Sequence, residues 1–123
     1  MAHPLQLSIK EIMIVVTSRM IARPEAQEEF LKALRGMLEP TRVEAGCRNY
    51  CFYQDVENEN AFILVEEWET KADLDCHIHK ESYRKLLVLM ELLSGPPEIK
   101  INTVSQRAGL EYVEDVLLKS NRR

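Results

Sequence analysis

The chain has 123 residues, 46% hydrophobic and 29% charged, a length and balance that fit one domain with its own apolar core. Sixteen Lys and Arg against twenty Asp and Glu give a net charge of -4, without the basic stripe that a phosphate backbone demands, so nucleic acid is not an expected partner. No apolar run approaches the roughly 18 to 20 residues that cross a bilayer, and Met1-Ala2-His3-Pro4 lacks the basic and apolar regions of a secretion signal, so a cytoplasmic protein with no membrane partner is expected.

Residues 1–10 read as an N-terminal extension, 11–106 as the folded domain and 107–123 as a tail. Residues 11–22 (EIMIVVTSRMIA) carry apolar side chains on both alternation sets, Ile12, Ile14 and Val16 on one and Met13 and Val15 on the other. That pattern predicts a strand buried on both faces. Pro24 suits the first turn of a helix, and Phe30, Leu31, Leu34, Met37 and Leu38 form one apolar stripe. A helix over 24–43 follows, with a kink or break expected near Gly36 and Pro40. Glu44-Ala45-Gly46 ends it, with Gly46 suited to a left-handed backbone.

Residues 47–55 (CRNYCFYQD) have strand composition, 55–60 form a polar turn, and 61–69 (AFILVEEWE) are apolar on both sides, with Phe62, Leu64 and Trp68 alternating against Ile63 and Val65. So short a turn makes the two strands an antiparallel hairpin. Thr70 is placed to cap a short helix over 71–79, and Tyr83, Leu86, Leu87, Met90 and Leu93 mark a longer one over 81–93, stopped by Ser94-Gly95-Pro96-Pro97. Residues 98–106 alternate as a fourth strand with one wetter face. The order β-α-β-β-α-β is the α+β, ferredoxin-like split arrangement on a four-stranded antiparallel sheet. Leu110, Val113, Val116 and Leu117 predict a short amphipathic tail helix, either a lid on the pocket or, as favoured by the need to tether a terminus, a segment docked on a second subunit.

Both long helices of such a fold cover one face of the sheet, yet strands one and three are apolar on both sides. A second copy is the simplest cover, so a homodimer is expected in which two sheets face each other as a dimeric α+β barrel, with a pocket between them for a small aromatic or apolar metabolite. Cys47 and Cys51 are separated by roughly 13 Å along a strand and cannot bridge each other; with Cys76 they read as free, mostly buried thiols. Glu66 shares the alternation set of Phe62, Leu64 and Trp68, so it points to an apolar face and needs a partner or a raised pKa. Read structurally, His77 is a partly exposed helix residue bonded to Asp73, one turn before it, or to a backbone group. Cys76, His77 and His79 lack a distant second pair of ligands, and no metal site is expected.

Glu44-Ala45-Gly46-Cys47 with Tyr50, then Asn60-Ala61-Phe62 with Glu66-Glu67-Trp68-Glu69, then Ala72 with His77, follow one another in an order that resembles the antibiotic biosynthesis monooxygenase superfamily of dimeric α+β barrels, small quinol monooxygenases included. The resemblance spans about residues 11–105. It implies a monooxygenase that needs no metal, flavin or other cofactor: a bound phenol or quinol loses a proton and its anion passes an electron to dioxygen. Such a protein needs an apolar cage, a base of near-neutral pKa and donors for the developing oxyanion. His77, of a type with an unperturbed pKa of about 6.5, is the candidate base. Trp68 is its catalytic companion, offering an indole N–H and a flat wall. Tyr50, Phe62, Leu64, Glu66 and Tyr83 are the expected lining, and Arg84 the expected anion holder.

Three positions depart from the family pattern. Leu64 stands where members of the actinorhodin-pathway type carry an oxyanion-binding Asn, Ser82 stands where a second His is common, and Ser18 and Leu87 stand where the haem-degrading branch has its Asn and ligating His. The same barrel serves several reactions. An isomerase or tautomerase of a phosphorylated metabolite, with Arg84 or Lys85 on the phosphate, and a non-catalytic dimer that binds an apolar metabolite are the alternative readings.

Overall fold

The computed structural model describes residues 13–121. The chain runs through β1 (Met13–Ile21), a 3-10 turn at Pro24–Ala26, α1 (Gln27–Arg42), β2 (Cys47–Asp55), β3 (Asn58–Trp68), α2 (Lys71–Ile78), α3 (Glu81–Leu89) with a 3-10 turn at Met90–Leu92, β4 (Glu98–Val104) and α4 (Leu110–Asn121). The four strands form one antiparallel sheet in the order β2-β3-β1-β4. This is the α+β, ferredoxin-like arrangement that the element order predicts. The proposed N-terminal extension, with Glu11 and Ile12 of the predicted first strand, lies outside the described residues. So do the last two residues of the tail.

Register decides which side chains meet the helices. Ile14, Val16, Ser18 and Met20 of β1 stand opposite Trp68, Glu66, Leu64 and Phe62 of β3. Tyr50 and Phe52 of β2 stand opposite Glu66 and Leu64. Partners across a ladder share a face, and this one is buried under α1, α2 and α3 around Phe30, Leu34, Leu74 and Leu86. The other, open face carries Val15, Thr17, Ile21, Ile63 and Val65, all half-buried within the single chain. Two-sided apolarity of β1 and β3 is thus present, although α1 to α3 bury only one side.

Three local expectations differ from the structure. α1 passes through Gly36 and Pro40 to Arg42 without a break. Phe30 and Leu34 before those residues, and Thr41 after them, are all buried, and the packing of both halves outweighs the missing amide hydrogen of Pro40. On β4, Ile99 and Ile101 stand opposite Ser18 and Val16, yet they are 45% and 59% exposed because, among the described residues, no helix covers that edge. The thiols are free as expected, with Cys47 and Cys51 half-buried, but Cys76 is exposed rather than buried, because it lies on the outer side of α2. Among the described residues, no helix is long and apolar enough to cross a membrane.

Gly46 has φ +81°, and a Cβ built on it would collide with the side chain of Asp73 on α2. This glycine therefore lets the α1–β2 corner turn directly beneath the start of α2. Gly46→Ala is expected to destabilise the protein by about 2 kcal/mol, from the left-handed backbone and the collision together, as measured by urea denaturation.

Candidate active site

Three local devices bring distant residues together on the helix-covered side of the sheet. Strand alternation presents Glu66 and Trp68 to the same face, with Tyr50 beside Glu66. Thr70 caps α2 by accepting a hydrogen bond from the Asp73 backbone N–H at 3.1 Å, so the helix begins three residues after Trp68 and lays His77 back over it. The tight turn at Gly46 then carries Glu44 inward from the end of α1.

His77 is 1% exposed. Its ring stacks on the Trp68 indole at a centroid distance of 4.6 Å and an interplanar angle of 30°. Tyr50 and Tyr83 meet it edge-on at 5.8 and 5.4 Å. Nδ1 lies 2.9 Å from Oε1 of Glu44, whose side chain is itself buried and has Lys80 Nζ at 3.8 Å. Nε2 lies 3.8 Å from Oε1 of Glu66, beyond hydrogen-bond range, and has no hydrogen-bond partner among the described residues. Glu66 Oε1 accepts the Trp68 indole N–H at 2.9 Å.

Burial raises the Glu66 carboxyl above the usual carboxylate range, with the Trp68 N–H and the facing His77 opposing that rise. Burial also raises the hydroxyls of Tyr50 and Tyr83, and both feel the Glu66 charge in the same direction. A carboxylate at 2.9 Å from Nδ1 favours the proton on that nitrogen. The lone pair of Nε2 then faces Glu66 and Trp68 in a low-dielectric setting. Such an imidazole can accept a proton and hold it between two carboxyl groups.

Of the residues expected from the sequence, the structure gathers His77, Trp68, Tyr50, Glu66 and Tyr83. Phe62 and Leu64 lie deeper, in the core with Met20, Phe30 and Phe52. Arg84 stands apart, its side chain 74% exposed and 3.8 Å from Glu81. The cluster is also on the opposite side of the sheet from the pocket expected between two sheets. The reason is register: the set containing Trp68 pairs with Ile14 and Val16, which the helices cover. A pocket of about 280 Å³ does lie at the hairpin end of the open face, between Arg19, Asp55 and Ile63, but of the expected site residues it includes Phe62 alone.

Glu44, 33 positions before His77, takes the place expected for Asp73, which instead holds Thr70. Local sequence rules carry no signal for this pairing, because Val43 and Ala45 on either side of Glu44 are exposed and only the fold turns the Glu44 side chain inward. Cys76, His77 and His79 diverge: Cys76 is exposed, and His79 Nδ1 bonds the Asp75 carbonyl at 2.8 Å.

The chain matches the model of the antibiotic biosynthesis monooxygenase family over residues 13–87. An uncharacterised protein of Synechocystis is 34% identical over 94 residues, covering 76% of this chain and 64% of that protein. A Mycobacterium tuberculosis protein of known structure superposes with a TM-score of 0.73 at 28% identity, covering 79% of this chain and 99% of the other. A crystal structure of an antibiotic biosynthesis monooxygenase superposes with a TM-score of 0.69 at 26% identity, covering 74% and 97% respectively.

Glu66 provides a test of the electrostatics. A carboxyl whose pKa rises on folding contributes stability that is complete below its unfolded value and is lost as pH rises through the folded one. Glu66→Gln keeps an oxygen for the Trp68 N–H but carries no charge. Its melting temperature is expected to match that of the parent near about pH 4 and to exceed it increasingly toward about pH 8. A deficit that grows with pH would mean that the fold requires the ionised carboxylate.

Proposed function

Because the chain belongs to the antibiotic biosynthesis monooxygenase family, we propose that it is a monooxygenase that oxidises a small aromatic phenol or quinol with dioxygen and uses no metal or organic cofactor. The observation that carries this reading is the buried imidazole of His77, tied at Nδ1 to Glu44 and, among the described residues, unpartnered at Nε2. In the proposed reaction Nε2 takes the phenolic proton. The imidazolium so formed lies between Glu44 at 2.9 Å and Glu66 at 3.8 Å, which offset its charge. The phenolate is electron-rich enough to reduce dioxygen directly. One oxygen atom enters a ring carbon, the other leaves as water, and the substrate supplies all four electrons as the phenol becomes a quinone.

Trp68, Tyr50 and Tyr83 give the surroundings of Nε2 flat apolar surfaces suited to an aromatic ring. Leu64 and Phe62 extend that apolar character inward, consistent with a substrate that carries few polar groups. The closed state around His77 requires α3, which carries Tyr83, to move for a substrate to enter. Arg84, turned to solvent beside Glu81, is not assigned a role at Nε2.

Oxygen uptake with a panel of substituted phenols and hydroquinones tests the assignment. His77→Ala is expected to lower the rate by roughly 10²-fold or more, while exhaustive chelation leaves it unchanged. Turnover that survives the loss of His77, or that stops on chelation and returns with metal, would contradict the reading.

A further inference from the structure

The cluster around His77 carries an imbalance of charge. Glu44 and Glu66 are both buried and flank the imidazole, at 2.9 Å from Nδ1 and 3.8 Å from Nε2. The other titratable groups packed against them stay neutral near neutral pH. Burial raises the hydroxyls of Tyr50 and Tyr83 and the thiol of Cys47, and the Glu66 charge raises all three further. The Trp68 N–H offers Glu66 a dipole but no charge. Among the described residues, Lys80 is the one Lys or Arg that pairs with either carboxyl, its Nζ 3.8 Å from the same Glu44 oxygen that faces Nδ1. Two carboxylates around one imidazole draw an extra proton into the cluster, and an imidazole that already holds that proton cannot take one from a phenol.

The backbone of Lys80 is fixed from both sides, at the corner between α2 and α3. Its N–H donates to the His77 carbonyl at 3.1 Å, and its own carbonyl accepts the Tyr83 N–H at 3.1 Å. Both of these residues belong to the cluster, with the Tyr83 ring edge-on against the imidazole. The corner that closes the site therefore also sets where the ammonium stands. The Lys80 side chain is 44% exposed and that of Glu44 7%. A pair so open on one side adds little to stability. It still acts on the protonation of a buried ring one carboxylate away, because the field on the inner side passes through protein rather than water.

We propose that Lys80 is a positioning residue for the proton transfer: its ammonium offsets the charges of Glu44 and Glu66, so that His77 stands unprotonated when a substrate arrives. The role rests on the assignment of His77 as the base, whereas the charge offset is measurable without a substrate. Lys80→Met removes the charge and keeps an unbranched stem, and Lys80→Arg keeps the charge. Nitrogen-15 NMR follows the titration of the His77 ring in the parent and both variants. The midpoint is expected to rise by about 0.5 pH units or more in Lys80→Met and to stay near that of the parent in Lys80→Arg. An unchanged or lower midpoint in Lys80→Met, or an equal displacement in Lys80→Arg, would overturn the proposal. Oxygen uptake with a hydroquinone gives the second readout: the acid limb of the kcat/KM profile is expected to move to higher pH by the same amount in Lys80→Met. A rate lowered by one factor at every pH would mean a structural role only and would also overturn it. A parent that takes up no oxygen would count against the monooxygenase reading alone, since the titration still decides the charge offset.

Discussion

Glu44, Glu66 and His77 lie together beneath α2 and α3, all three removed from water. A buried carboxylate or imidazolium costs several kcal/mol unless a partner meets it, so the surrounding elements must deliver partners with hydrogen-bonding geometry. They do so unevenly. The Nδ1 side of His77 is satisfied at 2.9 Å, the Trp68 N–H satisfies Glu66, and among the described residues Nε2 has no hydrogen-bond partner. A chain selected for stability alone would gain by filling that position with an apolar side chain of similar size. Retaining an imidazole with one nitrogen fixed and the other unspent is the arrangement that proton transfer needs.

The same constraint explains features that otherwise look incidental. Gly46 takes a left-handed backbone and leaves no room for a Cβ because the corner carrying Glu44 must pass beneath the start of α2. Thr70 caps that helix so that it turns immediately after Trp68. Trp68 serves twice, as a wall for the His77 ring and as the donor that holds Glu66 in place. The core around Phe30, Phe62 and Leu34 keeps β3 and α1 fixed relative to each other, so the short turn that carries Glu44 is anchored on both sides by packed elements.

Much of this was legible from the sequence where a local rule applies. Periodicity marked the strands and helices, Gly46 announced its turn, and the run from Glu44 through Trp68 to His77 pointed to the right family. What local rules could not supply was the side of the sheet. Strands β1 and β3 are apolar on both alternation sets, so the pattern alone does not tell which set meets the helices. That was decided by register, which pairs Trp68 with Ile14. The partner of His77 was also hidden, because Glu44 and His77 are separated by 33 positions while Asp73 is one helical turn away. Arg84, expected as an anion holder, carries its charge on a side chain that projects outward beside Glu81, a direction that the helical pattern does not specify.

The Glu44 carboxylate facing Nδ1 favours the His77 tautomer protonated there, with Nε2 free of hydrogen-bond partners among the described residues. Long-range proton–nitrogen correlation NMR on the His77 imidazole in its neutral form measures this directly, without a substrate. The parent protein is expected to show a protonated Nδ1 and an unprotonated Nε2, and Glu44→Gln is expected to lose that preference. A proton found on Nε2 in the parent protein, with Nδ1 bare toward Glu44, would contradict the account.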